Sequence, residues 1–348
     1  NSELLTESER MNLYLYLVLV ILSIVLIIIR IKDRRLGFLG VVVMITCWSL
    51  VARSTEPSAD ILSYTNIMTA EYSFVALGLF FEPILWAFHQ CVYRATSSSF
   101  LTWVLGDIIL LSLCYFAIKN LKSGLGMISH PRSLAPFYPA IFGIILVSWP
   151  YYVGFYLTYR QLLGAMIFLY ALSQIKASPL RSLVLLVCAC LTHNSLFLFA
   201  PVVLYVSQKP FLKRLAFLTI PLIPFILVQA AELENKENHF VGTFLAAVYP
   251  ITAVLLSLIL AFLVKTQRAR VNSELIFINF FIPYISVMAW LLLPNGFAER
   301  MGMLTFTIIL PILIIFILNN FRHRSFVLVF FAAFVATPMV TFYSNMLS

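Results

Sequence analysis

The chain has 348 residues, of which 62% are hydrophobic and only 11% charged, and its formal net charge is +9. Roughly a quarter of the residues of a soluble domain are charged, so this composition excludes an ordinary soluble protein and predicts one that uses lipid as part of its solvent. The apolar runs, such as residues 13–29, are continuous rather than alternating. Continuous runs favour membrane helices over the strands of a membrane barrel.

The hydropathy pattern predicts an all-α polytopic membrane protein with about 12 transmembrane helices, within a range of about 11 to 13. We treat residues 1–348 as a single integral membrane domain. The short runs 182–193 and 195–207 are equally consistent with one long bent helix. In chain order the apolar runs are 12–29, 36–51, 100–118, 134–149, 161–175, 182–193, 195–207, 212–228, 243–264, 274–293, 301–318 and 325–342.

Lysine and arginine are concentrated in alternate loops. If the loop after the first run is cytoplasmic, the other loops alternate in the sense required by the positive-inside rule. Most acidic residues then lie on the outer side. The positive net charge is therefore a topology signal and does not predict nucleic-acid binding. Of the 23 Lys and Arg residues, the outer side retains only Arg10, Arg53, Arg94, Arg160, Lys236 and Arg300.

The longest outer segment, residues 52–99, is predicted to contain an interfacial or re-entrant amphipathic helix. Its apolar part, FFEPILWAFHQCVYRA, is interrupted by Glu82, His89 and Arg94. If this segment crossed the membrane, every later loop would change sides and the charge pattern would fail. An amphipathic helix at the outer surface avoids that conflict.

Three outer arginines point to an anion site. Arg53 ends the second run, Arg160 opens the fifth and Arg300 opens the eleventh. Helices that begin on the outer side also place their N-termini there, which favours anions. Arginine matches phosphate oxygens through two parallel hydrogen bonds. The competing interpretation is that each arginine extends to lipid headgroups.

Neighbours of these arginines are candidates for sugar and proton contacts. Tyr159 offers a flat ring that can stack on a sugar, although an interfacial aromatic belt is the alternative. Gln161 follows Arg160 directly, and Glu299 stands beside Arg300 as an ion-pair partner or as a separate carboxylate. No metal-ligand spacing is present among the five cysteines, so we predict neither a metal nor a cofactor.

His193 and Asn194 occur between two short apolar runs, in CLTHNSLF, at a predicted hairpin end or helix break. His193 is a candidate for orienting a hydroxyl, binding phosphate or accepting a proton, and a structural histidine is the alternative. Asn194 adds hydrogen-bonding capacity beside it.

The positions of several carboxylates in or beside apolar segments require an explanation. Asp60 and Tyr64 are four residues apart and share a face if their segment is helical. Glu82 stands among apolar residues, so a structural role would require a partner such as Arg94 or Arg53. Asp107 falls inside a predicted span and is expected to be satisfied within the helix bundle.

Five motifs follow one another along the chain: ARSTEPSAD followed by Tyr64, FEPILWAF at 81–88, YRQLLGAMIF at 159–168, LTHNSLF at 191–197 and ERMGML at 299–304. As an ordered set they resemble the EpsG-like branch of the Wzy-type polysaccharide polymerases. The resemblance covers about residues 50–305. RQLLGAM is a looser version of the family's arginine-glutamine-small pattern.

The resemblance implies a GT-C-like glycosyltransferase of the bacterial inner membrane. Such enzymes transfer a growing glycan from undecaprenyl diphosphate to a new lipid-linked repeat unit at the periplasmic face, in O-antigen, capsule or exopolysaccharide synthesis. It also implies a chain-length regulator protein as a partner. The donor and acceptor lipids and the bilayer are the other partners.

The resemblance also suggests a mechanism. Arg160 and Arg300 neutralise the departing diphosphate in an inverting displacement, and Arg53 assists or holds Asp60 or Glu82. The proton of the acceptor hydroxyl passes to one of Asp60, Glu82, His193 or Glu299. The leading alternatives are an O-antigen ligase, which uses similar outer-face residues, and a flippase for the same lipid. A flippase needs charged groups along a path at mid-membrane, where only Asp107 lies deep. A membrane acyltransferase is a weaker alternative.

Overall fold

The computed structural model describes residues 7–29, 33–54, 59–69, 82–125, 127, 133–156, 158–207, 209–233, 243–266, 272–320, 324–325, 327–329 and 332. Within these ranges all regular elements are helices. Three short 3₁₀ helices occur at Ala135–Phe137, Asn194–Phe199 and Ile220–Leu222. The α-helices are α1 (Glu7–Ile29), α2 (Arg34–Ser54), α3 (Ala59–Thr69), α4 (Pro83–Thr96), α5 (Ser99–Gly124), α6 (Tyr138–Leu146), α7 (Trp149–Tyr156), α8 (Tyr159–Gln174), α9 (Pro179–Thr192), α10 (Ala200–Val206), α11 (Pro210–Thr219), α12 (Ile223–Leu233), α13 (Thr243–Thr266), α14 (Ser273–Leu292) and α15 (Asn295–Asn320).

Among the described residues, four helical stretches are long and apolar enough to cross a membrane: Ser99–Gly124, Pro210–Gln229, Ser273–Leu292 and Asn295–Asn320. Several shorter helices are apolar as well. The predicted all-helical membrane protein is therefore confirmed, whereas the number of about 12 spans and the GT-C-like arrangement stay predictions. The apolar window of α15 is 94% buried, against 17% for Pro210–Gln229. Thus α15 is central and α11–α12 are peripheral.

Helices α5 and α8 pack closely and run in the same direction. A Cβ atom at Gly124, the last residue of α5, would lie 2.7 Å from the carbonyl oxygen of Leu172 near the end of α8. A Cβ atom at Gly106 would lie 2.7 Å from the hydroxyl of Tyr159, the first residue of α8. Small residues permit such close approach between membrane helices. This contact brings the first turn of α8 beside Gly106, the eighth residue of α5.

The predicted span 134–149 is broken in the structure. Helix α6 ends at Leu146, and α7 begins at Trp149. Pro150, near the start of α7, has no backbone N–H to continue the earlier helix. The hydroxyl of Tyr16 donates to the carbonyl of Val147 at 2.7 Å, which satisfies a polar group at the break.

The segment 179–206 is two short helices rather than one bent helix. Helix α9 ends at Thr192, and His193 has an extended backbone with φ −154°. Leu196 packs against Gly164 of α8, and the ring of Phe199 meets Phe168, one turn farther along α8. The chain therefore rises beside α8, turns at His193 and returns beside the same helix.

Polar contacts separate into two groups at opposite ends of the bundle. At one end Asn272 donates to the carbonyl of Leu125 at 3.1 Å, and Arg324 donates to that of Ser133 at 3.0 Å. Leu125 directly follows the last residue of α5. The other end carries the contacts of Arg160 described below. Loops predicted to share a side of the membrane thus share an end of the bundle.

The described part of the outer segment 52–99 includes helices α3 and α4. Leu85, Trp86, His89 and Gln90 form a buried stripe on α4, whereas Cys91 and Arg94 are exposed. The C-cap residue Ser97 adopts a left-handed conformation with φ 52°, and α5 begins two residues later. Residues 70–81 lie outside the described residues. The one-sided burial agrees with an amphipathic helix, and its interfacial or re-entrant position stays a prediction.

Candidate active site

A buried carboxylate, Glu82, joins two predicted site residues from distant parts of the chain. Arg160 Nη1 donates to Glu82 Oε2 at 2.7 Å. His193 Nδ1 lies 2.7 Å from Glu82 Oε1. The Glu82 side chain is only 5% exposed, and a buried carboxylate requires such partners. The predicted partners Arg94 and Arg53 are therefore wrong for Glu82; its partners are Arg160 and His193.

Three helix ends position this cluster. Glu82 immediately precedes α4, with Pro83 in the first turn, so its carboxylate lies near a helix N-terminus, where negative charge is favoured. Arg160 is the second residue of α8. His193 occupies the turn between α9 and the following 3₁₀ helix. Each of the three residues lies at the end of a helix, where no further helical turn stands between the side chain and its neighbours. The three side chains can therefore converge.

The hydrogen bond to Glu82 fixes the tautomer of His193. A carboxylate accepts hydrogen bonds, so we assign the proton to Nδ1. Nε2 is buried and has no hydrogen-bond partner among the described residues. An unsatisfied buried acceptor costs about 1–3 kcal/mol. A position that retains one is suited to receive a donor such as a substrate hydroxyl.

Tyr64 orients Arg160 from the other side. The Nε of Arg160 donates to the Tyr64 hydroxyl at 2.9 Å, and the guanidinium carbon lies 5.0 Å from the centre of the Tyr64 ring. Trp86 and Trp103 pack against Tyr64. The Arg160 side chain is 34% exposed, and its Nη2 forms no hydrogen bond within the described part of the chain. Tyr64 and Glu82 thus hold Nε and Nη1 of the Arg160 guanidinium, whereas the Nη2 side is open to another ligand.

The beginning of α15 lies next to this cluster. Gln161 Nε2 donates to the backbone carbonyl of Arg300 at 3.4 Å, and the Gln161 side chain is buried. Arg300 and Glu299 are both half-buried. The structure therefore brings Arg300 to the same end of the bundle as Arg160, as the sequence predicted, with Gln161 as a positioning contact.

Arg53 belongs to a second, buried cluster. Its Nε and Nη2 donate to the two carboxylate oxygens of Asp107, each at 2.8 Å, and Ser49 donates to the same carboxylate at 2.9 Å. The guanidinium also lies over the rings of Trp103, Phe155 and Tyr159, at 5.0–5.3 Å.

With its side chain 5% exposed, Arg53 is committed to the interior. It holds Asp107 rather than Glu82, which corrects the predicted pairing. A role of Arg53 in binding a diphosphate stays a prediction.

The remaining sequence candidates lie in different environments. The ring of Tyr159 is fully buried, between Trp103 and Phe155, so we assign it a packing role instead of the predicted sugar contact. Asn194 is exposed beside His193. Asp60 lies in α3, but its side chain is outside the described residues. No group of three or more His, Cys, Asp or Glu side chains within the described ranges could hold a metal ion.

Trp103 supports the site, although the sequence does not mark it as a site residue. Trp103 donates its indole N–H to Thr65 at 2.9 Å and contacts both Tyr64 and the Arg53 guanidinium. It therefore links the two charge clusters. A lone tryptophan in an apolar run carries no signal for this role. The partner of Asp107, by contrast, could have been sought among the arginines at the ends of neighbouring spans.

Replacing Asp107 with asparagine is expected to destabilise the protein strongly. The change removes the carboxylate charge that pairs with the buried Arg53 guanidinium, and breaking a buried ion pair typically costs about 3–5 kcal/mol. The measurement is the thermal midpoint of the purified protein in detergent, together with the yield of monodisperse protein. The control is the double variant Asp107→Leu/Arg53→Met, which removes both charges and should recover much of the loss. Equal midpoints for Asp107→Asn and wild type would contradict this account.

The fold and this site define an all-helical membrane protein with a charged cluster at one end of its helix bundle. The chain belongs to the EpsG family, whose model matches residues 38–348. This membership indicates a membrane protein of the polysaccharide-polymerase type. Comparison with curated proteins and with solved structures gave no match.

Proposed function

We propose that the protein is a glycosyltransferase that polymerises oligosaccharide repeat units carried on undecaprenyl diphosphate. The observation that carries this proposal is the cluster in which Glu82 holds both His193 and Arg160. Within the described ranges, Nε2 of His193 has no hydrogen-bond partner, and one side of Arg160 is open. A proton acceptor beside a cation suits the transfer of a sugar from a diphosphate, since the first can accept the proton of the hydroxyl and the second can stabilise the leaving group.

The reaction is a single inverting displacement. The acceptor hydroxyl oxygen forms a bond to the anomeric carbon of the donor glycan, while the bond from that carbon to the diphosphate oxygen breaks. The hydroxyl proton passes to Nε2 of His193, and the electron pair of the broken bond leaves with undecaprenyl diphosphate. Glu82 stabilises the protonated imidazole, in the role a carboxylate has beside a catalytic histidine.

Arg160 and Arg300 neutralise the diphosphate as its charge grows in the transition state. Tyr64 and Glu82 hold the Arg160 guanidinium before substrate arrives, so little reorganisation is needed during the reaction. Asn194, exposed beside His193, contributes a glycan contact. No metal or cofactor is required in this scheme, because the cations that the leaving group needs are arginines.

The positive-inside pattern supports a periplasmic site in the bacterial inner membrane. With the lysine-rich loops in the cytoplasm, the end of the bundle that carries Glu82 and Arg160 faces the periplasm. The partners are then the lipid-linked donor and acceptor and the surrounding bilayer. The family resemblance adds a chain-length regulator protein. The polymer is an O-antigen, a capsule or an exopolysaccharide.

Deletion of the gene tests this function. We expect the mutant to accumulate lipid-linked glycan of one repeat unit, accessible to a membrane-impermeant glycosidase in spheroplasts, and we expect the wild-type gene to restore longer chains. The measurement is mass spectrometry of extracted lipid-linked glycans. Single units retained in the inner leaflet would instead indicate a flippase. Full-length polymer retained on the lipid would indicate a ligase. Either result overturns the proposal.

A further inference from the structure

An aromatic groove lies at the end of the bundle opposite the candidate active site, between α10, α11 and α14. Its volume is about 640 Å³, which is within the range of small-molecule sites of about 300–1,000 Å³. Asn272, directly before α14, bonds to Leu125, and this contact places the groove near the C-terminal end of α5. Its wall contains Tyr205, Phe217, Phe277, Phe280, Phe281 and Tyr284.

Stacked rings give this groove a preorganised wall. The rings of Tyr205 and Phe277 are 4.1 Å apart with an interplanar angle of 11°, and Phe277 stacks on Phe281 at 5.1 Å. Phe217 meets Phe277 edge-on at 5.8 Å. Phe280 is 63% exposed. A wall of stacked apolar rings, with Phe280 exposed, fits an extended hydrocarbon chain.

Cations lie beside one end of the groove, next to its lining residue Tyr205. Lys213 Nζ lies 5.0 Å from the centre of the Tyr205 ring and 3.4 Å from Glu274 Oε1. An ammonium group has three donors, so the bond to Glu274 leaves donors for another acceptor. Lys209 and Arg214 are exposed nearby on the same short stretch of chain. The three cations exceed the single carboxylate, so this end of the groove favours an anion.

The first turn of α11 adds to this preference. Lys209 is the N-cap residue of this ten-residue helix, and its side chain makes no capping hydrogen bond there. Free N–H groups at a helix N-terminus favour phosphate. A groove of apolar rings that ends at a cluster of cations has the chemistry of a phospholipid site. Basic pockets between membrane helices bind anionic headgroups.

We propose that this groove binds one molecule of an anionic phospholipid. One acyl chain lies along the aromatic wall, and the phosphate is held by Lys213 with Lys209 and Arg214. The charge pattern places this end of the bundle at the cytoplasmic leaflet, whose surface is anionic. The site is separate from the Glu82 cluster, and its existence does not depend on the reaction proposed there.

The test compares lipid binding to the purified full-length protein by native mass spectrometry, with phosphatidylglycerol and phosphatidylcholine added in equal amounts. We expect the wild-type protein to retain phosphatidylglycerol preferentially. Lys213→Ala should weaken that binding about fivefold, because one juxtamembrane cation contributes about that factor. The matched control is Arg181→Ala, an exposed cation at the same end of the bundle that contacts Tyr170 and does not line the groove. It should leave binding unchanged.

Lys213→Ala leaves Glu274 buried without its partner. The double variant Lys213→Ala/Glu274→Gln removes that difficulty and should show the same weakened binding. Three outcomes overturn the proposal: equal retention of the two lipids by wild type, no effect of the double variant, or displacement of phosphatidylglycerol by an equal amount of undecaprenyl phosphate. The last outcome would identify an isoprenoid as the occupant.

Discussion

Replacing His193 with alanine is expected to lower the rate of polymerisation by about 10²- to 10⁴-fold, the usual contribution of a general base. The variant loses the Nε2 that accepts the acceptor proton. The fold should persist, because Glu82 keeps its ion pair with Arg160 and alanine keeps the Cβ that faces Gly164. The measurement is the rate of chain extension with membranes of matched protein content.

The variant His193→Asn separates a base from a structural partner. Asparagine can still donate a hydrogen bond to Glu82, but it cannot accept a proton near neutral pH. We expect His193→Asn to be as slow as His193→Ala, with wild-type amounts of folded protein. Polymerisation at the wild-type rate in His193→Asn would show that His193 only positions Glu82, and the proton acceptor would have to be sought elsewhere.

The sequence was sufficient to single out the members of the cluster but not to pair them. Glu82 and His193 stood out because each is a polar residue in an apolar setting, and Arg160 because it lies on the side from which positive charge is depleted. Pairing depends on which helices are neighbours and how each is rotated about its axis. Which helices are neighbours, and how each is rotated, follows from tertiary contacts such as that of Gly124 with Leu172. The local hydropathy pattern of the sequence does not contain this information.

Arg53 shows the same limit from the opposite direction. Its position at the end of a span predicted an outward arginine, as for Arg160. In the structure the carboxylate of Asp107 and the surrounding rings draw it inward. The sequence did contain one relevant fact, because a carboxylate inside an apolar span requires a partner. Choosing Arg53 as that partner required knowing that α2 packs against α5.

The sequence around His193 is compatible with both a bent helix and a hairpin. Periodicity does not decide this, since both forms bury the same apolar residues. The decision comes from Gly164, whose missing side chain lets Leu196 and His193 approach α8. The same close approach places the imidazole beside Glu82. A small residue on a neighbouring helix thus permits both the local packing of the turn and the geometry of the site.

Replacing Arg160 with alanine is expected to lower polymerisation by about 10²- to 10³-fold, the usual effect of removing one group that stabilises transition-state charge. The variant should also bind undecaprenyl diphosphate more weakly, because the open side of the guanidinium is lost. Arg160→Lys should recover only part of the activity, since an ammonium group cannot donate to Tyr64, Glu82 and a phosphate with the same fixed geometry. Rates and product dissociation constants measured on the same preparations check both expectations.

Arg94 provides the matched control, because it is an exposed arginine on α4 at the same end of the bundle. Arg94→Ala should stay within about twofold of wild type, as surface charges contribute little. His193→Asn should bind undecaprenyl diphosphate like wild type although it polymerises slowly, which separates the leaving-group site from the proton acceptor. If Arg160→Ala and Arg300→Ala, at normal expression, both produce full-length chains, arginine does not hold the diphosphate in this protein.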